Sequence, residues 1–149
     1  MNTKNAGLVL SELVIVLMII GVVTSAVILS TDRRRSRLES AMTGLQSDLR
    51  YIRKLAMSKS SKTRIVFDVL SDRYTLWQAE NGIYVRFKTV NLDGVKFKSV
   101  NAGGYTVEYT SRGTTGSACT IIMSAGGYEG SLTVNVGSGR VKIKGIIKR

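Results

Sequence analysis

The N-terminal part of the chain carries two successive hydrophobic patterns that together predict one long helix. From Leu8 to Leu29 the sequence is almost entirely apolar, and its only charge is Glu12. A run of about 20 apolar residues is long enough to cross the hydrocarbon core of a bilayer. From Leu38 onward apolar residues recur every three to four positions instead, which is the period of an amphipathic helix. We therefore predict one nearly continuous helix from about Leu8 to Ser58, with a membrane-spanning half and an amphipathic half.

The amphipathic half assigns each residue to a buried or a solvent-facing side. The side predicted to pack on a domain consists of Leu38, Ala41, Met42, Leu45, Leu49, Ile52 and Ala56. The opposite side consists of Ser36, Glu39, Ser40, Thr43, Ser47, Arg50 and Lys54.

The rest of the chain is a series of short runs rich in β-forming residues and separated by turns. Asn81-Gly82 lies between two of these runs and is a strong hairpin signal. A helix followed by consecutive strands favours an α+β fold in which the helix packs on an antiparallel β-sheet domain. The predicted strands are residues 64–69, 74–78, 83–87, 95–100, 105–109, 118–123, 131–136 and 140–147.

Composition limits the chemistry that this chain can perform. There is no histidine, and the single cysteine, Cys119, lies in an apolar run typical of a buried core thiol. An intrachain disulfide and the usual zinc sites are therefore excluded. No nucleophile motif or phosphate-cradling loop is visible, so we expect no enzyme, no catalytic residue, no metal and no cofactor. Trp77 is interpreted as a core or interface aromatic.

Glu12 requires an explanation, because an ionisable side chain inside a membrane segment is costly. One interpretation is functional. The other is that Glu12, near the start of the apolar run, reaches the headgroup level through tilt or local thinning and has no particular role.

The residues around Glu12 resemble a known processing signal. Gly7-Leu8 followed by Ser11-Glu12, after a short leader containing Lys4, is similar to the prepilin signal of type IV pilins and pseudopilins. The resemblance implies that prepilin peptidase cleaves after Gly7 and methylates the new amine of Leu8. It also implies that Glu12 neutralises the N-terminal amine of a neighbouring subunit during filament assembly.

The resemblance to the prepilin signal implies that the chain has three regions and that the protein is located in the inner membrane. The regions are a leader peptide (1–7), a transmembrane and filament-core helix (8–29) and a soluble pilin-like domain (30–149). The precursor would cross the bacterial inner membrane once, with its C-terminal domain in the periplasm, and would join a filament or pilus after assembly. Counting basic residues gives the opposite orientation, since such residues mark the cytoplasmic side and here follow the apolar run. They are Arg33, Arg34, Arg35 and Arg37.

Segments of the soluble part resemble the GspH/FimT type of minor pseudopilin. The matching stretches are residues 49–59 with 62–67, 109–113 around Arg112-Gly113, and 139–142 at Gly139-Arg140. The resemblance implies a structural or initiating subunit of a type IV pilus or a type II secretion pseudopilus, with other pilin subunits as partners.

The charge distribution leaves a second function open. The net charge is +12, and its excess lies in the helix region and in the last twenty residues. Some FimT-type pilins are DNA receptors with a Gly-Arg-x-Arg motif, which here reads Gly139-Arg140-Val141-Lys142. Double-stranded DNA is thus an alternative partner. The alternative is that the basic residues near the C-terminus form only the solvent-facing side of a strand. The helix arginines would then contact lipid headgroups or neighbouring subunits. The residues assigned to DNA are Arg140, Lys142, Lys144, Lys148 and Arg149.

Overall fold

The computed structural model describes residues 3–148, and it describes the side chains of residues 11–23 and 33–148. It divides into two units, Met1–Arg34 and Arg35–Arg149. In the first unit the chain is helical from Thr3, and the large apolar side chains between Leu13 and Val23 are exposed. Within the described residues, no helix has the length and hydropathy that a membrane span requires.

One helix and eight strands make up the secondary structure of residues 3–148, together with a short 3-10 turn at Gly103–Tyr105. The helix α1 spans Thr3–Ser58. The strands are β1 Thr63–Asp68, β2 Arg73–Glu80, β3 Ile83–Asn91, β4 Lys96–Asn101, β5 Thr106–Tyr109, β6 Cys119–Ala125, β7 Tyr128–Val134 and β8 Val141–Lys148. Each of the eight strands corresponds to a predicted run, with its ends shifted by a few residues.

The strands form two antiparallel four-stranded sheets rather than the single sheet that the strand pattern suggested. The first sheet has the order β3-β2-β1-β5, and the second has the order β4-β6-β7-β8. Asn81 and Gly82 both have positive φ, 50° and 81°, as the tight turn between β2 and β3 demands. Alternate residues of β1 and of β6 are buried, so one face of each sheet packs on the core.

The core joins both sheets to the part of α1 that lies in the second unit. The residues predicted for the packing side of the helix are buried, except that Ala41 is half-buried, and the predicted solvent side is exposed. Large buried partners come from each sheet, with Tyr74 and Leu76 in the first and Ile121 and Leu132 in the second. Cys119 is buried in this core, as its apolar run predicted.

One buried hydrogen bond links the last turns of α1 to the start of β1. Thr63 is buried, and its hydroxyl donates to the carbonyl oxygen of Ile52 over 2.9 Å. Because an unpaired buried hydroxyl would be unfavourable, this bond sets the position of β1 relative to the helix.

Candidate anion-binding site

The loop between β7 and β8 is a tight, glycine-dependent hairpin. Its ends are closed by two bonds, from the amide of Asn135 to the carbonyl of Arg140 (2.9 Å) and from the amide of Gly139 back to the carbonyl of Asn135 (3.0 Å). Gly139 has φ +59°, a left-handed conformation that glycine adopts without steric cost. The loop therefore fixes where β8 begins and where Arg140 leaves the turn.

Gly139 also lies against a second turn, and a side chain there would collide with it. A Cβ atom at Gly139 would come within 2.8 Å of the Gly113 carbonyl oxygen and within 2.8 Å of the Tyr109 ring. Tyr109 is buried, and its hydroxyl donates to the Gly139 carbonyl over 3.4 Å. Burial raises the pKa of the Tyr109 phenol to about 12, so this donor keeps its proton at neutral pH.

Arg53 connects this pair of turns to α1. Its Nε donates to the carbonyl oxygen of Gly113 over 3.0 Å. A Cβ at Gly113 would lie 2.7 Å from the Met57 sulfur, so this turn, too, packs closely on the helix. Farther along the hairpin, the Gln46 side-chain amide donates to the carbonyl of Val141 over 3.3 Å. Arg53 thus holds the Gly113 turn, and Gln46 holds the β7–β8 hairpin, beside the helix surface.

The result is an open groove with a basic lining, with a volume of about 360 Å³. We call it the basic groove. Arg50, Arg140 and Lys142 are exposed, whereas Arg53 is half-buried because it bonds to the Gly113 turn. The groove is lined by Arg50, Arg53, Gly139, Arg140, Val141 and Lys142.

The chemistry of the basic groove is that of an anion site. Its lining residues bring four cations together and include no carboxylate. Arginine presents a planar fork that matches a phosphate or carboxylate, whereas Lys142 offers a point charge. An anion in the groove would meet positive charge from four side chains.

The residues predicted to bind DNA fall into two groups according to where the structure places them. Arg140 and Lys142 line the basic groove, while Lys144 and Lys148 are exposed on β8 outside its lining. Arg149 lies outside the described residues. Arg140, Lys142 and Lys144 alternate with buried Val141 and half-buried Ile143, which is the arrangement expected of a solvated strand face.

Arg50 and Arg53 are the groove residues that sequence reasoning did not assign to the site. Arg50 and Arg53 are three residues apart, and the sequence therefore shows that they lie next to each other on one surface of the helix. What the sequence does not show is that the β7–β8 hairpin lies beside this surface, since that depends on contacts between residues far apart in the chain.

The processing signal is less fully described than the basic groove. Residues 7–12 belong to α1, and Glu12 is exposed. The side chain of Leu8 and the surroundings of Gly7 lie outside what the structure describes, and so do the side chains of the predicted membrane segment outside residues 11–23.

The described residues have a pilin-like fold, as the comparison with solved structures shows. Among solved structures, the chain is similar to the minor pseudopilin EpsH from the type 2 secretion system of Vibrio cholerae, with TM-score 0.61 and 13% identity over 72% of this chain and 95% of that chain. It is also similar to the type IV minor pilin FimU of Pseudomonas aeruginosa strain PAO1, with TM-score 0.61 and 17% identity over 74% of this chain and 90% of that chain.

These similarities confirm the predicted α+β pilin-like fold, and they confirm the resemblance to GspH/FimT-like minor pilins at the level of the fold. No protein-family model matches the chain, and no curated protein matches its sequence.

Proposed function

We propose that this chain is a minor subunit of a pilin-type filament, either a type IV pilus or a type II secretion pseudopilus. The observation that supports this most is the coincidence of two independent features. The described domain has the fold of EpsH and FimU. Residues 7–12 carry the spacing of a prepilin signal, which is a feature of the sequence and not of the fold.

The proposed assembly route follows from the chemistry of residues 7–12. The precursor inserts in the inner membrane with its C-terminal domain in the periplasm, and prepilin peptidase cleaves after Gly7. Cleavage leaves a charged amine on Leu8, and the carboxylate of Glu12 pairs with the corresponding amine of a neighbouring subunit. An ion pair in an apolar bundle is strong when formed and costly when one partner is missing, so it sets the axial register of the subunit.

This route is tested by a variant series in the source bacterium. We expect the mature protein to begin at N-methylated Leu8 in intact-mass measurements. We expect Glu12→Ala to be cleaved normally but to be lost from sheared filaments. Glu39→Ala is the matched control, since Glu39 is another exposed carboxylate of α1. Normal recovery of Glu12→Ala in filaments would rule out the register role.

Binding of double-stranded DNA is a second candidate function, and the basic groove supports it. The helix contributes Arg50 and Arg53 and the hairpin contributes Arg140 and Lys142 to one lining without a carboxylate. Cations that contact phosphates release counterions, which provides affinity that does not depend on base sequence. Arg50 and Arg53 of α1 thus add to the hairpin residues that were predicted to bind DNA.

Matched charge removals test this candidate on the full-length chain in detergent. Affinity for a duplex oligonucleotide should fall steeply as the salt concentration rises. Arg140→Ala with Lys142→Ala should reduce both the affinity and the slope of its salt dependence. The slope should fall by about one for every phosphate that is no longer neutralised. Lys144→Ala with Lys148→Ala removes the same charge outside the groove and should have a smaller effect. Equal reductions in the two double variants would show that the charge acts diffusely and would remove the groove from the explanation.

A further inference from the structure

A row of charged and aromatic side chains crosses the outer face of the first sheet. Register places Glu108 of β5 beside Arg64 of β1, Arg64 beside Trp77 of β2, and Trp77 beside Arg86 of β3. In β1 the residues on either side of Arg64 are buried in the core, so Arg64 points away from it. These four residues form what we call the outer row.

The guanidinium groups of two arginines lie over the aromatic rings of this face. The guanidinium carbon of Arg64 lies 3.9 Å from the ring centroid of Tyr84 and 5.2 Å from that of Trp77. The guanidinium carbon of Arg86 lies 5.9 Å from the Trp77 ring. Cation–π contacts orient both guanidinium groups, and they leave the N–H edges as the groups available to a ligand.

The guanidinium groups of the outer row lack acidic partners. The Glu108 carboxylate forms an ion pair with Lys62 over 3.2 Å and accepts a hydrogen bond from the Tyr84 hydroxyl over 2.8 Å. Within the described part of the chain, neither Arg64 nor Arg86 forms an ion pair, and the buried Nε of Arg64 has no hydrogen-bond partner. Because the Arg64 Nε is shielded from solvent, a ligand would meet the remaining N–H groups of the two guanidiniums, whose charge no carboxylate neutralises.

The composition of this face matches the centre of a protein–protein interface. Tryptophan, tyrosine and arginine are the residues that most often dominate binding energy at such interfaces. The side chains of Arg64, Trp77 and Tyr84 are half-buried and held by one another, so little conformational entropy remains to be lost on binding.

We propose that the outer row is a docking surface for an acidic segment of another protein, with carboxylates accepting hydrogen bonds from Arg64 and Arg86. A second copy of this chain is a poor occupant, because its net charge of +12 opposes self-association at a basic face. Stacked bases are poor occupants as well, because Arg64 already covers the Tyr84 ring. The inference concerns a face distinct from the basic groove and does not depend on entry into a filament.

Trp77 is the single tryptophan of the chain, so its fluorescence reports directly on this surface. The full-length chain in detergent is titrated with a short glutamate-rich peptide, with the same peptide carrying glutamine at each glutamate, and with a duplex oligonucleotide. We expect a saturable, salt-sensitive change in Trp77 emission with the glutamate peptide and none with its glutamine counterpart. Arg64→Lys keeps the charge but loses the planar fork, and it should weaken the peptide at least tenfold.

Controls separate docking from folding and from general charge. Lys144→Ala with Lys148→Ala removes the same charge outside both the basic groove and the outer row, and it should leave the peptide affinity read from Trp77 unchanged. If Arg64→Lys unfolds the chain, as judged by circular dichroism, Arg86→Lys takes its place. The proposal is overturned if the glutamine peptide binds equally well, if the oligonucleotide gives the same Arg64-dependent change, or if Trp77 emission changes with protein concentration alone.

Discussion

The phenol hydroxyl of Tyr74 donates a hydrogen bond to the carboxylate of Asp48 over 2.9 Å, and this bond links β2 to α1. Lys88 of β3 reaches the other oxygen of the same carboxylate, at 2.6 Å. Asp48 therefore connects the helix to two strands of the first sheet. Burial is the main cause that raises the pKa of the Tyr74 phenol above its usual range, and the nearby Asp48 carboxylate adds to it, so the donor stays protonated.

Replacing Tyr74 by phenylalanine should destabilise the domain while keeping its packing. The variant loses a hydrogen bond to a charged group and leaves one oxygen of Asp48 without this donor, which costs about 1.5 to 3 kcal/mol. Denaturant unfolding measures the free energy of unfolding. Tyr105→Phe is the control, because Tyr105 is exposed and its hydroxyl removal should change stability by less than about 0.5 kcal/mol. Equal effects of the two substitutions would show that the Asp48 bond contributes nothing.

The buried thiol of Cys119 should make stability fall in alkaline solution. Burial raises its pKa from 9.0 to about 11, so the folded state holds the proton more tightly than the unfolded state does. This contribution to stability is complete below pH 9.0 and is lost as the pH rises toward 11. The free energy of unfolding should decline over that window, more steeply for the native chain than for Cys119→Ala. A decline of the same slope in both would assign the effect to other groups, such as Tyr109.

Local patterns in the sequence predicted most elements of the fold. The helical period from Leu38 to Ala56 identified the packed side, and Asn81-Gly82 identified a hairpin, because each signal depends on neighbouring residues. The division of the strands into two sheets was not predicted. It depends on β5 pairing with β1, across about forty intervening residues, and no local pattern records that pairing.

The candidate site was predicted in part, for the same physical reason. Arg140 and Lys142 were assigned from a short motif, and both line the basic groove. Arg50 and Arg53 were missed because Arg53 reaches the hairpin through the Gly113 turn, a contact between distant segments. The processing residues Gly7 and Leu8 and the role of Glu12 remain predictions.

The hairpin that carries Arg140 should depend on glycine at position 139 more than at position 137. Both residues have positive φ, +59° and +71°, so alanine is strained at either, by about 1 to 2 kcal/mol. At Gly139 the new Cβ would also collide with the Gly113 carbonyl and the buried Tyr109 ring, whereas nothing lies within 4 Å at Gly137. Gly139→Ala should therefore lower the thermal midpoint well below that of Gly137→Ala, and it should also weaken any anion binding in the basic groove. Similar midpoints in the two variants would contradict the close packing of this turn.

Contact between Gly130 of β7 and Met42 of α1 provides a test of how the helix packs on the second sheet. A Cβ at Gly130 would lie 2.1 Å from the Met42 sulfur and 2.8 Å from its terminal methyl, so Gly130→Ala should force Met42 out of its buried position. Overpacking of this kind costs about 1 to 3 kcal/mol, and Met42→Ala alone costs about 2 to 5 kcal/mol through the cavity that it leaves.

The double variant Gly130→Ala, Met42→Ala should be more stable than the sum of the two single effects predicts, because the added methyl enters the space that methionine vacates. Unfolding free energies of the four proteins give the coupling, which should exceed about 1 kcal/mol. Additive effects would mean that these two residues do not share one packing site, and that the helix approaches β7 through other side chains.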